Sequence, residues 1–234
     1  MTSLRASARA IAAHLPWRTI LGLLAITLGI IAFVVLADAA VEGDALAGFD
    51  PSVTRSFIER RTPQLSTAAR GLTFIGEVPV LTGLTIVVAA LLRILTRRWK
   101  PAVILTVGMI GAATLTYSLK VLIGRHRPDA EQVLGTVNHG FSFPSGHALS
   151  STVFFLLLAG MLWYSKAARS IKIVGTTVAI GLSIAIGLSR IYLGYHWATD
   201  VLAGWTMAFT WLSVLATAIH LIETRRGGGA AEPR

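Results

Sequence analysis

The chain contains no cysteine. That removes disulfide cross-links, thiolate nucleophiles and cysteine-based zinc sites from consideration. Charge is also scarce: 14% of the residues are Asp, Glu, Lys or Arg, against 54% hydrophobic. Acidic residues are the rarer sign, 11 against 21 Lys and Arg. The long apolar runs lack a polar face. A helix in a soluble bundle turns polar side chains outward every third or fourth residue, and these runs show few. Internal repeats are missing, and the only low-complexity block is the terminal "RRGGGAAEPR". That composition predicts a tail without packed structure.

The apolar runs themselves set the fold class. About 20 apolar residues, rising 1.5 Å each, cross a hydrocarbon core of roughly 30 Å. Six stretches reach or approach that length, at 19–41, 74–95, 101–123, 148–165, 173–190 and 198–222. The expectation is an all-α polytopic membrane protein, six transmembrane helices in one bundle spanning 19–222. A cytoplasmic tail at 1–18 would precede it and a disordered cytoplasmic tail at 223–234 would follow. The second run contains Glu77 and Pro79, so its start is the least well defined. Between the first two runs lies a polar stretch with Pro51 and Pro63, in which "SVTRSFIERR" predicts a short interfacial helix. "VVLADAAVEG" holds an Ala-x-Ala pattern resembling a signal-peptidase site. The length of the run and its 18-residue leader favour an uncleaved first helix.

Lys and Arg set the orientation. With the N-terminus in the cytoplasm, 13 Lys/Arg and two acidic residues fall inside, against 8 and nine outside. The basic excess is therefore a topology signal and not a nucleic-acid footprint. The protein is expected in the cell membrane with both termini cytoplasmic.

In this topology three polar segments meet at the outer ends of spans: "KVLIGRHRP", "FPSGHALS" and "SRIYLGYHWATD". They supply Lys120, Arg127, His147, Arg190, His196 and Asp200. Ionisable groups near hydrocarbon cost free energy unless they pair or serve a function. Three cations and two histidines suit a bound dianion such as a phosphate monoester. "PSGH" opens a long apolar run, so it predicts a helix start with N–H groups aimed at an anion. Gly146 there lets backbone approach a ligand, and Ser145 adds a hydroxyl. His196 and Asp200 are four apart, which on a helix shares one face. A carboxylate on one ring nitrogen fixes the tautomer and leaves the other nitrogen to attack. His147 comes from another segment and can protonate a leaving oxygen. The class this permits is phosphoryl transfer through a phosphohistidine.

Taken singly, each piece has a plainer reading. Lys120 can snorkel to the interface. Arg190 and Asp200 can form a structural ion pair. His196 can cap a helix, and "PSGH" can be a turn with a cap. What argues against the plain readings is their coincidence at three helix ends on one side. A metal site from His147, His196 and Asp200 is a further alternative, opposed by three neighbouring cations that would repel a divalent ion.

At these residues the sequence resembles the type 2 phosphatidic acid phosphatase superfamily. Its signature is Lys-x6-Arg-Pro, then Pro-Ser-Gly-His, then Ser-Arg-x5-His-x3-Asp, met here without departure between Lys120 and Asp200. The resemblance implies an integral-membrane phosphatase acting on lipid phosphates, without metal or other cofactor, at the outer face. It implies His196 as nucleophile, Asp200 as its orienter and His147 as general acid. It implies Lys120, Arg127, Ser145, Gly146 and Arg190 as phosphate-binding residues, with Ser189 a weaker candidate. Expected partners are the bilayer and a lipid phosphate or pyrophosphate: undecaprenyl pyrophosphate, phosphatidic acid or phosphatidylglycerol phosphate. A lipid phosphotransferase using the same site, or an anion transporter without catalysis, are the competing functions.

Overall fold

The computed structural model describes residues 17–43, 45–137 and 139–228, apart from the side chains of 45, 46 and 226–228. Most of the expected tail at 1–18, and all of 229–234, lie outside the described residues. The fold is all-helical. The α-helices are α1 (Trp17–Glu42), α2 (Asp50–Glu59), α3 (Pro63–Ile75), α4 (Val78–Thr96), α5 (Lys100–Ile123), α6 (Gly146–Trp163), α7 (Arg169–Tyr192) and α8 (Ala198–Gly228). Six of them, α1 and α4 to α8, are long and apolar enough to cross a membrane. They correspond to the six expected spans.

Local chemistry explains where these helices begin and end. The second span starts at Val78, four residues later than expected, because residues 63–75 form a separate helix. Pro79 then sits in the first turn of α4. There its missing N–H costs nothing and its fixed φ suits helix entry. The short helix predicted around "SVTRSFIERR" is α2. α3 was not expected, although its signals are readable: Thr62 accepts a bond from the Leu65 amide at 3.2 Å and Pro63 follows it. α5 ends at Gly124, which takes a left-handed φ of 67° and returns its N–H to the Lys120 carbonyl. α8 runs on to Gly228, beyond the expected end at 222, and Glu223 on it pairs with Lys100.

α6 is the central helix, packed against α5, α7 and α8, while α1 lies along α8, α4 on α5, and α3 on α7. Leu105, Ala112, Leu149, Val153, Ala203 and Ala208 are fully enclosed. Large apolar side chains face outward instead, with Leu28, Ile86 and Ile94 each about two-thirds exposed. In water such a surface would aggregate; in a bilayer it meets lipid. Lipid tails are as apolar as Leu, so helix association there depends on close packing of small residues. Gly22 and Gly29, seven apart on α1, show it: a Cβ on either would lie 2.1 Å from Oγ1 of Thr217 or Thr210 on α8.

The packing gathers the end of α5, the start of α6, the end of α7 and the start of α8 at one end of the bundle. The loop 124–145 and the turn 193–197 close that end, and α2 and α3 pack beside them. The turn fits because Gly194, at φ 81°, has no side chain; a Cβ would stand 2.3 Å from the Gln132 carbonyl oxygen.

Candidate active site

His196 sits in the turn just before α8, at 2% exposure, and Asp200 in the first turn of α8, at 0%. The His196 Nδ1 lies 3.2 Å from Asp200 Oδ2, which also accepts the Trp197 backbone N–H at 2.9 Å. The expected pairing is present, but not as two positions on one helix face. His196 precedes the helix, and Asp200 reaches back as a capping carboxylate would. Burial pushes the His196 imidazole well below its ordinary range, and the charges of Lys120, Arg190 and Arg127 push the same way. The Ser142 carbonyl opposes them only in part. At neutral pH the ring is therefore uncharged, and a proton on Nδ1 would face the carboxylate.

The three cations surround this ring from separate elements. Lys120, on the last turn of α5, donates to the carbonyls of Phe141 at 2.6 Å and Ser142 at 3.0 Å. Arg127 donates from Nε to Gly140 at 2.7 Å, and from its terminal nitrogens to Tyr195 at 2.7 Å and Phe141 at 3.2 Å. The 140–142 backbone thus holds two cations side by side. Arg190, near the end of α7, donates to Thr73 Oγ1 on α3 at 2.6 Å and stacks 4.1 Å from the Tyr195 ring centre. Its Nε is buried with no hydrogen-bond partner among the described residues.

Ser145 caps α6, its hydroxyl accepting the Ala148 N–H at 3.5 Å, while its own N–H donates to the Asp200 carbonyl at 2.9 Å. That second bond ties the start of α6 to the start of α8. Gly146 is the first residue of α6, and a Cβ there would stand 2.9 Å from Thr116 Cγ2 of α5. His147 follows, within electrostatic reach of Arg190, His196, Arg127 and Lys120. Its Nε2 is buried and, like Arg190 Nε, has no partner among the described residues. Two orphaned nitrogens, from α6 and α7, beside a neutral imidazole and three cations make a site short of an acceptor. An anion with several oxygens would supply it. Ser189 stands apart: its hydroxyl is spent on the Ile186 carbonyl at 2.7 Å.

The structural ion pair considered for Arg190 and Asp200 does not occur. The partner of Asp200 is Arg125, whose terminal nitrogen lies 2.7 Å from Oδ1. Arg125 also pairs with Asp50 of α2 at 2.8 Å. Neither residue is assigned this pairing from the sequence. Arg125 lay inside the first motif as one of its unspecified positions, and Asp50 in the stretch read as a polar connection. Arg61 was missed in the same way. It donates to the Tyr192 carbonyl at 3.0 and 2.8 Å and to the Gln132 carbonyl at 2.7 Å. The Tyr192 hydroxyl in turn accepts the Thr62 N–H at 3.1 Å and lies 3.0 Å from the Ser66 hydroxyl. The link between α2 and α3 is thus stitched to the end of α7, just before the turn that carries His196.

Comparison with known proteins finds lipid phosphatases. The family model of the PAP2 superfamily matches residues 101–223. Phosphatidylglycerophosphatase B of Bacillus subtilis is 29% identical over 181 residues, covering 75% of this chain and 85% of that protein. An undecaprenyl-diphosphatase of Sulfolobus acidocaldarius is 32% identical over 139 residues, 57% of this chain and 62% of its own length. Among solved structures, the transmembrane PAP2-type phosphatidylglycerolphosphate phosphatase of Bacillus subtilis superposes with a TM-score of 0.75 at 26% identity. That match covers 84% of this chain and 96% of the other. LpxE of Aquifex aeolicus gives 0.54 at 25% identity, over 74% and 98% of the two chains.

Proposed function

The chain belongs to the PAP2 superfamily, and from that premise we propose that it hydrolyses a membrane lipid phosphate or diphosphate through a phosphohistidine on His196. The observation that carries this reading is the buried His196 held by Asp200 at 3.2 Å among three cations. With the proton on Nδ1, Nε2 carries the lone pair. It attacks phosphorus, and the P–O bond to the lipid breaks as the P–N bond forms. Asp200 steadies the imidazolium that results. Lys120, Arg127 and Arg190, with the N-terminal amides of α6 around Ser145 and Gly146, hold the non-bridging oxygens and stabilise the charge as it spreads. His147 Nε2, protonated when the dianion is bound, gives its proton to the leaving oxygen. It then takes one from the water that cleaves the P–N bond.

The relatives above are a phosphatidylglycerophosphatase and an undecaprenyl-diphosphatase, and a glycerolipid phosphate or a polyprenyl pyrophosphate equally suits this site. The catalytic groups stand at helix ends, so a lipid can present its phosphate while its tails stay in the bilayer. The test is purified protein in detergent with a panel of lipid phosphates and a chelator. Phosphate release that persists in chelator supports the reading; release that stops and returns with a divalent ion overturns the metal-free route. In the same assay His147→Ala is expected to lose more rate on lipid alcohols than on substrates with acidic leaving groups. An equal loss on both removes His147 as the acid.

The positive-inside bias supports a topology with the active-site end on the outer face and both termini in the cytoplasm. Because the chain has no cysteine, single cysteines report cleanly. A membrane-impermeant thiol reagent applied to whole cells is expected to label His139→Cys, in the active-site loop, and to spare Lys166→Cys, between α6 and α7. The reverse pattern inverts the topology.

A further inference from the structure

The mechanism above gives no task to the Arg125 guanidinium, although it is the cation bonded to Asp200. One terminal nitrogen donates to Asp200 Oδ1 and to Thr199 Oγ1, each at 2.7 Å; the other donates to Asp50 Oδ2 at 2.8 Å. Asp50 is the first residue of α2, lies outside the segment matched by the family model, and is 2% exposed. Its Oδ1 accepts the Thr199 backbone N–H at 2.9 Å, and its Oδ2 is also bonded by the Thr199 hydroxyl. Asp50 therefore caps the first turn of α8 from across the fold, while Arg125 bridges two carboxylates.

The effect falls on Asp200. Arg125 occupies Oδ1, and Oδ2 is left to accept from His196 Nδ1 and the Trp197 amide. A carboxylate pinned at one oxygen cannot rotate away from the ring. The planar guanidinium fork holds two carboxylates at fixed angles, which the freely rotating donors of an ammonium would not. Asp50 also offsets the Arg125 charge, so that a fourth cation can stand near His196 without drawing all of the Asp200 field to itself.

We propose that Asp50 and Arg125 form a clasp that fixes the Asp200 carboxylate, and through it the His196 tautomer, and that both are positioning residues for the phosphoryl transfer. The proposal rests on the reading of His196 as nucleophile. An ion pair that served only stability would leave the chemical step unchanged in any variant that folds.

The charged and titratable groups around His196 come from every neighbouring element. Lys120 and Arg127 belong to α5 and the loop after it, His147 to α6, Arg190 to α7 and Asp200 to α8. Tyr195 and Glu77 act on Arg190, and behind Asp200 stand Arg125 and Asp50. Removing the positive charge of Arg125 makes His196 easier to protonate, so the acid limb of kcat/KM moves to higher pH. Removing the negative charge of Asp50 moves it to lower pH. Substrate ionisation is common to all variants and cancels in their ratio to wild type.

Arg125→Met alone strands two buried carboxylates and is expected to be poorly stable. The decisive variant is therefore Asp50→Asn/Arg125→Met, which removes both charges of the pair together. Its kcat is expected to fall roughly 10–100-fold, the size seen when partners that orient a ligand histidine are lost. KM should be little changed, since the loss lies in the transition state. Arg125→Lys, which keeps the charge and loses the fork, should fall between wild type and the double variant. Asp50→Asn should show the shift to lower pH. If the double variant does not fold, these two single variants carry the test. A readout independent of turnover is the nitrogen NMR spectrum of 15N-histidine-labelled protein, with the His196 signal assigned from His196→Ala. Wild type should show the Nδ1-protonated tautomer alone, and the clasp variants a mixture. Wild-type kcat together with an unmixed tautomer in a folded double variant overturns the proposal. So does Arg125→Lys or Asp50→Asn at wild-type kcat and pH profile if only the singles fold. A failure of the phosphohistidine reading shows elsewhere, as turnover that survives in His196→Ala, and the spectrum still reports on the clasp.

Discussion

His196→Ala is expected to abolish phosphate release while leaving lipid binding in place. The side chain is enclosed, yet its loss removes a neutral ring from a polar turn and strands no ion pair, since Asp200 keeps Arg125 and the Trp197 amide. The fold should therefore survive. The three cations and the start of α6 remain, so a lipid phosphate should still bind competitively against wild-type substrate. What disappears is the covalent route. By comparison with proteases that lose their nucleophile, the fall in kcat is about 10⁶-fold. Single-turnover quenching of wild type with a 32P-labelled substrate should trap an acid-labile, base-stable phosphoryl-enzyme that is missing in the variant. Turnover near wild type in folded His196→Ala, or a trapped adduct that persists there, overturns the assignment.

The second large effect is expected at Asp200→Asn. Asparagine has nearly the same shape but only one oxygen. Oδ1 now accepts from Arg125 at 2.7 Å, and Oδ2 accepts from both His196 Nδ1 and the Trp197 amide. If the amide oxygen faces Arg125, the NH2 group faces the imidazole and favours the tautomer with Nδ1 bare and Nε2 protonated. The attacking nitrogen then has no lone pair. If the amide turns round, its NH2 opposes the guanidinium. The first orientation keeps the Arg125 bond and spoils the tautomer, and a loss of about 10⁴-fold in kcat is expected, as when the buried aspartate of a Ser-His-Asp triad is made asparagine. Because a tautomer is at fault, the loss should appear in kcat with KM nearly unchanged. A loss confined to KM, or one within tenfold, would show that Asp200 holds the turn and does not orient the ring.

The contrast between these residues and Asp50 explains what the sequence could and could not reveal. Lys120, Arg127, His147, Arg190, His196 and Asp200 were legible because each is an expensive group at the edge of an apolar run. Their types also fit one chemistry. The six spans were legible because length and hydropathy are local properties. Asp50 and Arg125 are 75 residues apart, and Asp50 bonds Thr199 across 149; no local pattern marks such a pairing. Asp50 begins a helix next to a proline, so its own neighbourhood reads as an ordinary helix start. The same holds for Thr73, which reaches Arg190 from α3 across 117 residues. The His196–Asp200 pairing was read from a four-residue spacing. The structure produces that contact by a turn and a capping carboxylate, which the same spacing also permits.

The stitching by Arg61 bears on how the enzyme is assembled. Polypeptides leave the ribosome N-terminus first and fold largely in that order. The segment bearing Asp50 and Arg61 is therefore synthesised more than a hundred residues before the helix ends it grips. When His196 emerges, that segment has already been synthesised. The last motif to be synthesised docks onto it, and no competent centre exists until nearly the whole chain has been translated.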